Sequence, residues 1–355
     1  MRVALFDYEL AVDRIAQEPR PRGESRLLVL PRAETSRAIE HRRFADFPQL
    51  LCEGDLLVRN DVRVRPARLY GRDAEDRLVE IFLLRAEDGS ARRWKALAKP
   101  GRRAKAGRVV RFEEDLAARV EAVDPVGGER TVVFDRPLDP ALLERIGRTP
   151  LPPYIRREPG APDRDSDRAA YQTVFAREPL AVAAPTAGLH FTEEILNAIR
   201  ARGVVIADLT LAVGAGTFKP VIAEDTARHA MSSEDVVIPK ETVLAVARAR
   251  RERRRVVAVG TTVARSLEAA IRLPEGVGFA ANAGGDLRFS TDLFITPGFE
   301  FRAVDALLTN FHMPRSTLLM LVSALAGRER ILAAYAEALR EGYLFYSFGD
   351  AMFIL

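Results

Sequence analysis

RRVVAVGTTVARSLEAAIR, residues 254–272, decides the fold class. Val256, Val257, Ala258 and Val259 form a short apolar run with no polar alternation, as in a strand buried on both faces. Gly260 ends the run, and TVARSLEAAIR continues as a helix. A buried strand passing through glycine into a helix is the repeating step of an α/β layer.

The same alternation extends in both directions. Upstream, ETVLAVARARR (241–251) reads as a helix and VVIADLTLAV (204–213) as a strand. Thr192 is placed to cap a helix over 193–202, whose acidic first turn suits the positive end of the helix dipole and which Gly203 stops. Downstream, TDLFIT (291–296) and VDALLTNF (304–311) read as strands ahead of helical STLLMLVSALAG (316–327) and ERILAAYAEALREG (329–342).

Before the Pro-rich stretch LPPYIRREPGAPDRD (151–165) the texture differs. From Asp55 to Phe134 short β-rich runs (DLLVRN, RVRPARLYG, RLVEIFLLR, RVVRF, RTVVF) alternate with Gly, Pro and charged turns, the spacing of a small barrel or sandwich. The N-terminal residues ahead of them lack that texture. The expected architecture is an α/β main domain, residues 1–60 plus 150–355, with an inserted all-β, small antiparallel barrel-like domain over 61–149.

A chain of 355 residues is long enough for two domains. With 48% hydrophobic and 29% charged residues it has an ordinary globular composition. Four acidic side chains in the first twenty residues, and no uncharged apolar run near the ~18 residues that span a bilayer, predict neither export signal nor membrane anchor. Cys52 is the only cysteine, which excludes an intrachain disulfide, a cysteine-ligated zinc and an iron–sulfur cluster. No His, Cys or carboxylate cluster has ligand spacing, so no metal is expected.

Net charge is only +4 and pI about 9.4, but the basic residues cluster. Arg92, Arg93, Lys95, Lys99, Arg102, Arg103, Lys105, Arg108 and Arg111 share a stretch with Trp94 and without a single acid, which points to a polyanion surface. Six arginines between Arg248 and Arg255 read equally well as the exposed end of a helix.

Ligands in open α/β folds collect beyond strand carboxyl ends, beside helix N-termini. Four stretches have that character. In AAPTAGLHFTEE, Pro185, Thr186, Gly188 and His190 lead into the capped helix; such a histidine is more often a local hydrogen-bonding residue than a catalyst, but only four histidines exist. In VGAGTFKP, Gly214, Gly216 and Thr217 follow a strand. The third glycine of a dinucleotide fingerprint is missing and Lys219-Pro220 stands where a helix should open, so a backbone-lined ligand loop or a plain tight turn is expected. In AVGTTVARSLE, Gly260, Thr261 and Thr262 open a helix on which Arg265 and Glu268, three apart, could form a simple surface ion pair. In LLTNFHMPRST, Thr309, Asn310 and His312 end a strand just before the capping Ser316, the best site candidate on physical grounds.

Assembled in order, these motifs resemble the S-adenosylmethionine:tRNA ribosyltransferase-isomerase family over essentially the whole chain. The resemblance rests on FDYEL (6–10), IAQEP (15–19), GDLLVRNDVRVRPARLYG (54–71), PLPPYIRR (150–157), AYQTVFA (170–176), VAAPTAGLHFTEE (182–194), TLAVGAGTFKPV (210–221), AVGTTVARSLE (258–268), PGFEFRAVDALLTNFHMPRSTLLMLVSALAG (297–327) and FYSFGDAMFI (345–354).

It implies transfer and isomerisation of the ribosyl part of S-adenosylmethionine onto the 7-aminomethyl group of a 7-deazaguanine in a tRNA anticodon. The product is epoxyqueuosine, with loss of adenine and methionine. S-adenosylmethionine is then a co-substrate, no cofactor is permanently bound, and a cytoplasmic monomer acting on tRNA is expected. His190 and His312 become candidates for proton transfer, with Glu268 and Asp350 as carboxylates that orient or replace them. Gly214, Gly216, Thr217, Gly260, Thr261 and Thr262 would hold nucleoside or carboxylate, with Pro185, Thr186, Gly188, Arg265, Thr309 and Asn310 alongside. The basic β segment would follow anticodon-stem phosphates, and Tyr154, Tyr171 and Phe218 are candidate stacking surfaces.

The chain departs from the family pattern at several positions. Ala212 and Ser232 stand where histidines are usual, Arg59 where an aromatic is usual, and TTVAR replaces the more usual serine-valine pair before Arg265. The two absent histidines keep a second reading open: a fold-retaining RNA-binding or repurposed paralogue with weak or altered S-adenosylmethionine-dependent activity.

Overall fold

The structure, a computed structural model, describes residues 1–32, 38–125, 127–214, 221, 223–274, 279 and 285–355. They form two compact units: Met1–Arg63 with Gln172–Glu178 and Ala184–Leu355, and Val64–Tyr171 with Pro179–Ala183.

The first unit is built on strands β1 (Arg26–Leu30), β2 (Glu40–Arg43) and β3 (Leu56–Asn60). β4 (Val62–Val64) and β11 (Glu178–Ala181) lie where the chain leaves this unit and returns. It continues with β12 (Val205–Leu211), β13 (Glu234–Ile238), β14 (Val256–Val259), β15 (Leu287–Thr291), β16 (Ala306–Asn310) and β17 (Ala351–Ile354). Its helices are α3 (Glu193–Ala201), α4 (Lys240–Arg251), α5 (Thr261–Ala270), α6 (Thr317–Ala326) and α7 (Arg328–Arg340).

The nine sheet strands lie in the order β15, β13, β12, β3, β14, β16, β17, β1, β2. β12, β3, β14 and β16 are mutually parallel. β17 is antiparallel to β16 and parallel to β1, and β13 is antiparallel to β12. One edge of the sheet therefore gathers the carboxyl ends of the four parallel strands and the amino ends of β13, β17 and β1.

Strand residues alternate between the faces. Leu57, Val257, Val259, Ala306, Leu308 and Phe353 pack with Phe44, Phe47, Phe191, Leu196 and Ile199 of α3 and its surroundings. Burying each such side chain stabilises by roughly 1.5–3 kcal/mol. The alternate residues Val58, Val256, Ala258 and Leu307 are equally buried, and α4 and α5 pack against these strands.

DLLVRN, grouped by its β-rich texture with the all-β runs although the expected boundary at residue 60 left it in the main domain, belongs to this sheet. Every residue of β3 is buried. A strand covered on both faces and paired in parallel on both sides needs uniform burial, and the Leu-Leu-Val run supplies it. TDLFIT is not a strand; the strand is the preceding Leu287–Thr291, whose burial alternates as an outermost, half-exposed strand requires.

The second unit is a closed barrel in the order β10, β7, β6, β5, β8, β9, antiparallel throughout. Its strands are β5 (Arg68–Arg72), β6 (Leu78–Ala86), β7 (Arg93–Lys99), β8 (Val109–Arg111), β9 (Ala117–Val123) and β10 (Arg130–Phe134). Helices α1 (Pro140–Ile146) and α2 (Asp165–Ala170) follow. Val79, Ile81 and Leu83 fill the interior while the residues between them are partly exposed, the inside–outside alternation of a small barrel.

The basic stretch is less free than its sequence suggests. Arg93 pairs with Glu87 and Glu121, Lys95 with Glu87 at 3.2 Å, and Arg108 with Glu75 at 3.9 Å, acids that lie outside the stretch and are brought to it by barrel closure. Lys99, Arg102, Lys105 and Arg111 remain exposed with no ion pair among the described residues. Trp94 is a core residue, its indole N–H donating to the Ala91 carbonyl at 2.9 Å and Arg65 lying over its ring.

Candidate active site

The edge where the four parallel strands end and β13, β17 and β1 begin collects most of the candidate residues. Asn60 ends β3, Gly214 follows β12, Gly260 separates β14 from α5, and Asn310 ends β16 ahead of His312. Asp350 immediately precedes β17, Ser25 precedes β1, and Glu234 opens β13. The 3-10 turn Thr186–His190 is tied to this edge by a hydrogen bond from Asn310 Nδ2 to His190 Nε2 at 3.1 Å. Gly216, Thr217 and Phe218 lie outside the described residues.

His190 is held on every side. The Asn310 amide also donates to the Tyr346 carbonyl at 3.2 Å, which fixes which end of the amide is nitrogen. His190 Nε2 therefore accepts, and Nδ1 carries the proton and donates to Ser25 Oγ at 3.0 Å. The ring stacks against Phe44, 5.1 Å between centroids. Burial, aided by the Arg22 guanidinium, pushes its pKa down to about 4, so the ring is neutral at physiological pH with both nitrogens committed.

His312 differs. Nε2 meets Thr309 Oγ1 at 2.8 Å, whereas Nδ1 has no hydrogen-bond partner among the described residues. Its backbone is clamped from both sides, the N–H donating to Tyr335 Oη at 3.0 Å and the carbonyl accepting from Tyr8 Oη. Phe311, Tyr335, Tyr8 and Phe345 form an aromatic cluster beneath it. Burial lowers its pKa to about 3. The combination is a rigidly mounted, neutral imidazole with one nitrogen unassigned.

The carboxylates are anchored. Asp350 is fully buried and accepts from Arg20 at 2.8 Å, from Arg26 N at 2.8 Å and from Leu344 N at 2.8 Å, with burial raising its pKa. Glu268 is also fully buried and accepts from the backbone N–H groups of Arg302, Ala303 and Val304 at 2.8–3.0 Å, and from Arg272 at 2.5 Å. Those amides lead into the amino end of β16. Seven residues along α5 from Thr261 is about 10 Å of helix, so Glu268 lies toward the opposite edge of the sheet. It does not pair with Arg265. Arg265 reaches instead to Glu234 at 2.6 Å, whose second oxygen accepts from Gly214 N at 3.2 Å. The three-residue spacing could not reveal this because both side chains are buried and Glu234 comes from another strand.

Pro185, Thr186 and Gly188 belong to the turn that carries His190. A Cβ on Gly188 would meet Phe175 Cζ at 2.8 Å and Thr173 Cγ2 at 2.9 Å, so the turn packs too closely for any side chain there. Gly260 has φ +91°, and its neighbour across the gap is Ala187 of the same turn. Gly260→Ala is expected to cost about 1–2 kcal/mol from backbone strain alone, seen as a fall of several degrees in melting temperature.

Sequence reasoning did not find Ser25, Tyr8, Tyr335 or Tyr346, whose roles depend on groups distant in the chain. Asn60 and Asp61 carried a signal, polar residues at the end of an apolar run. Asn60 clamps Leu211 through both its amide ends, and Thr210 donates to Asp61 at 2.7 Å. Arg59, where the family usually has an aromatic, makes a bidentate pair with Asp208 at 2.8 and 2.9 Å beneath the Phe175 ring. Tyr171 is buried and offers no face to a base. His41 and His229 lie elsewhere, one bonded to Tyr343 and the other edge-on to Phe294.

The two buried imidazoles leave a signature in stability. Between pH 6.5 and about 4 the unfolded chain binds protons that folded His190 refuses, and for His312 the window reaches about 3. Their contribution is fully present above pH 6.5 and is lost as pH falls; His190 alone accounts for about 3 kcal/mol. Asp61 and Asp350, whose folded pKa values are raised by burial, oppose this where they titrate. Calorimetry is expected to show the melting temperature falling from pH 7 to pH 5, and a flatter profile for His190→Asn. An equally steep profile in that variant would reject this origin.

Fold and edge together define an α/β enzyme with a buried polar site at the carboxyl ends of parallel strands. The chain belongs to the queuosine biosynthesis protein family, whose model matches residues 3–354. It is 49% identical over 360 residues, all of both chains, to the S-adenosylmethionine:tRNA ribosyltransferase-isomerase of Moorella thermoacetica. It is 48% identical over 357 residues, again all of both chains, to the enzyme of that name from Thermotoga maritima. The crystal structure of an S-adenosylmethionine tRNA ribosyltransferase from Thermotoga maritima, 39% identical, covers 99% of this chain and 100% of its own with a TM-score of 0.54. No described helix is long and apolar enough to cross a membrane, and no group of three or more His, Cys, Asp or Glu among the described residues could hold a metal ion.

Proposed function

We propose that the chain transfers and isomerises the ribosyl moiety of S-adenosylmethionine onto the 7-aminomethyl-7-deazaguanine base of tRNA, giving epoxyqueuosine and releasing adenine and methionine. The observation that carries this reading is identity near one half with enzymes of that name, unbroken from end to end. The reaction needs a base beside the sulfonium, assistance to adenine departure, an aligned neutral amine and exclusion of water.

His312 is our base. With Nε2–H donating to Thr309, Nδ1 keeps its lone pair for the proton next to sulfur. Thr309→Val, which frees the wrong tautomer, is expected to lower kcat about tenfold with little change in KM. His190 positions Asn310 and the Thr186–His190 turn, Asp350 ties the two chain ends together, and Glu268 supports β16 from the far edge. The absent histidines at Ala212 and Ser232 are then dispensable, because Ala212 is partly exposed, Ser232 is exposed, and neither enters the hydrogen-bonded network around His190 and His312.

The barrel is the surface we assign to the tRNA backbone, through Lys99, Arg102, Lys105 and Arg111. Replacing them is expected to reduce the slope of log affinity against log salt by about 0.7–0.9 for each phosphate that is no longer neutralised. A slope unchanged in the quadruple alanine variant would remove the barrel from the interface. The enzyme would work as a cytoplasmic monomer with S-adenosylmethionine as co-substrate.

Incubation with S-adenosylmethionine and tRNA carrying the 7-aminomethyl-7-deazaguanine base, followed by nucleoside mass spectrometry, tests the reaction. Epoxyqueuosine with released adenine is the expected result. Bound tRNA without product would instead favour the repurposed paralogue.

A further inference from the structure

The N-terminus of α5 is buried without a cap. No side chain among the described residues accepts from its first turn. Gly260 N donates to Leu308 O at 2.8 Å and Ala264 N to Gly260 O at 3.2 Å, so the N–H groups of Thr261, Thr262 and Val263 remain, the orphans of any helix start. α3 and α6 resolve the same problem with Thr192 and Ser316.

A second observation concerns the side chains. Thr261 and Thr262 are 7% and 8% exposed, and neither hydroxyl has a hydrogen-bond partner among the described residues. Thr262 Oγ1 lies 3.7 Å from the point a Gly260 Cβ would occupy, so it is turned back over the helix start. Arg265, one turn further, has its charge balanced by Glu234, while its buried Nε has no acceptor among the described residues. Donors thus converge on the helix end, which carries about half a positive unit.

The position is also the topological switch point of the sheet. β3 is followed in the sheet by β12 on one side, and β14 by β16 on the other, so their connections part at the carboxyl ends of β3 and β14. Burial favours a terminal group of a small molecule over a polymer backbone, and one weak positive end suits a single negative charge.

We propose that this helix start binds the carboxylate of the methionyl end of S-adenosylmethionine, through the Thr261–Val263 amides and the Thr261 and Thr262 hydroxyls. The proposal rests on the ribosyltransferase reading, in which the carboxylate is the co-substrate's only anionic group. Adenine and ribose would then extend away from α5, leaving the sulfonium between it and the neighbouring strand ends.

Isothermal titration without tRNA tests it, using S-adenosylmethionine and its decarboxylated analogue as probes on wild type and on Thr262→Val, a near-isosteric change that removes one hydroxyl. The analogue is expected to bind wild type about 30- to 100-fold more weakly. Thr262→Val is expected to weaken S-adenosylmethionine about 3- to 10-fold and the analogue hardly at all. An analogue binding within twofold of S-adenosylmethionine, or a variant weakening both probes equally, overturns the proposal while leaving the enzyme reading intact. No binding of either probe, with no epoxyqueuosine formed, removes both.

Discussion

His312→Ala is expected to lower kcat about 10²- to 10⁴-fold, the range that a positioned general base contributes, while S-adenosylmethionine still binds within a few-fold of wild type. The expectation follows from a difference between two histidines that the sequence cannot rank. His190 uses both nitrogens to hold Ser25 and Asn310. His312 uses only one, and its backbone is pinned by Tyr8 and Tyr335. His190→Ala is therefore expected to destabilise the unit and disturb Asn310, with a smaller loss in turnover. Single-turnover rates on both variants, paired with thermal melts, separate the roles. If His190→Ala abolishes turnover at wild-type stability while His312→Ala remains active, the assignment is reversed.

Glu268→Ala is expected to cost about 3–5 kcal/mol of stability, the scale for removing one partner of a buried charged network. Three backbone amides and Arg272 lose their acceptor together. The melting temperature should fall roughly 10 °C, and the residual folded protein should turn over near the wild-type rate. Glu268→Gln, which keeps an acceptor but not the charge, should fall between. A variant that melts like wild type yet loses turnover would return Glu268 to the chemistry, against its place about 10 Å along α5 from the helix start.

Much of the fold was legible because its signals are local. The Val256–Val259 run, Gly260 and the helix after it were read correctly from periodicity, and so were the caps at Thr192 and Ser316. The barrel was legible from strand spacing. β3 was not, because a short apolar run has the same appearance in a barrel and in a parallel sheet, and only its neighbours on both sides distinguish them. The basic stretch was misleading because its acids lie outside it, Glu87 across one hairpin and Glu75 and Glu121 farther along the chain, and meet it only once the barrel has formed.

By itself the sequence determined the alternation of elements, the family, and that Gly260 and Asn310 stand at strand ends, since these follow from side-chain period and ordered motifs along one chain. Tertiary structure alone decided that Gly214, Gly260, Asn310 and the Thr186–His190 turn share one edge, that Arg265 belongs with Glu234 and Glu268 with the approach to β16, and that among the described residues His312 Nδ1 has no partner whereas both His190 nitrogens do. Those outcomes depend on strand order and direction, which bring together groups far apart in the chain and leave no periodic trace in it.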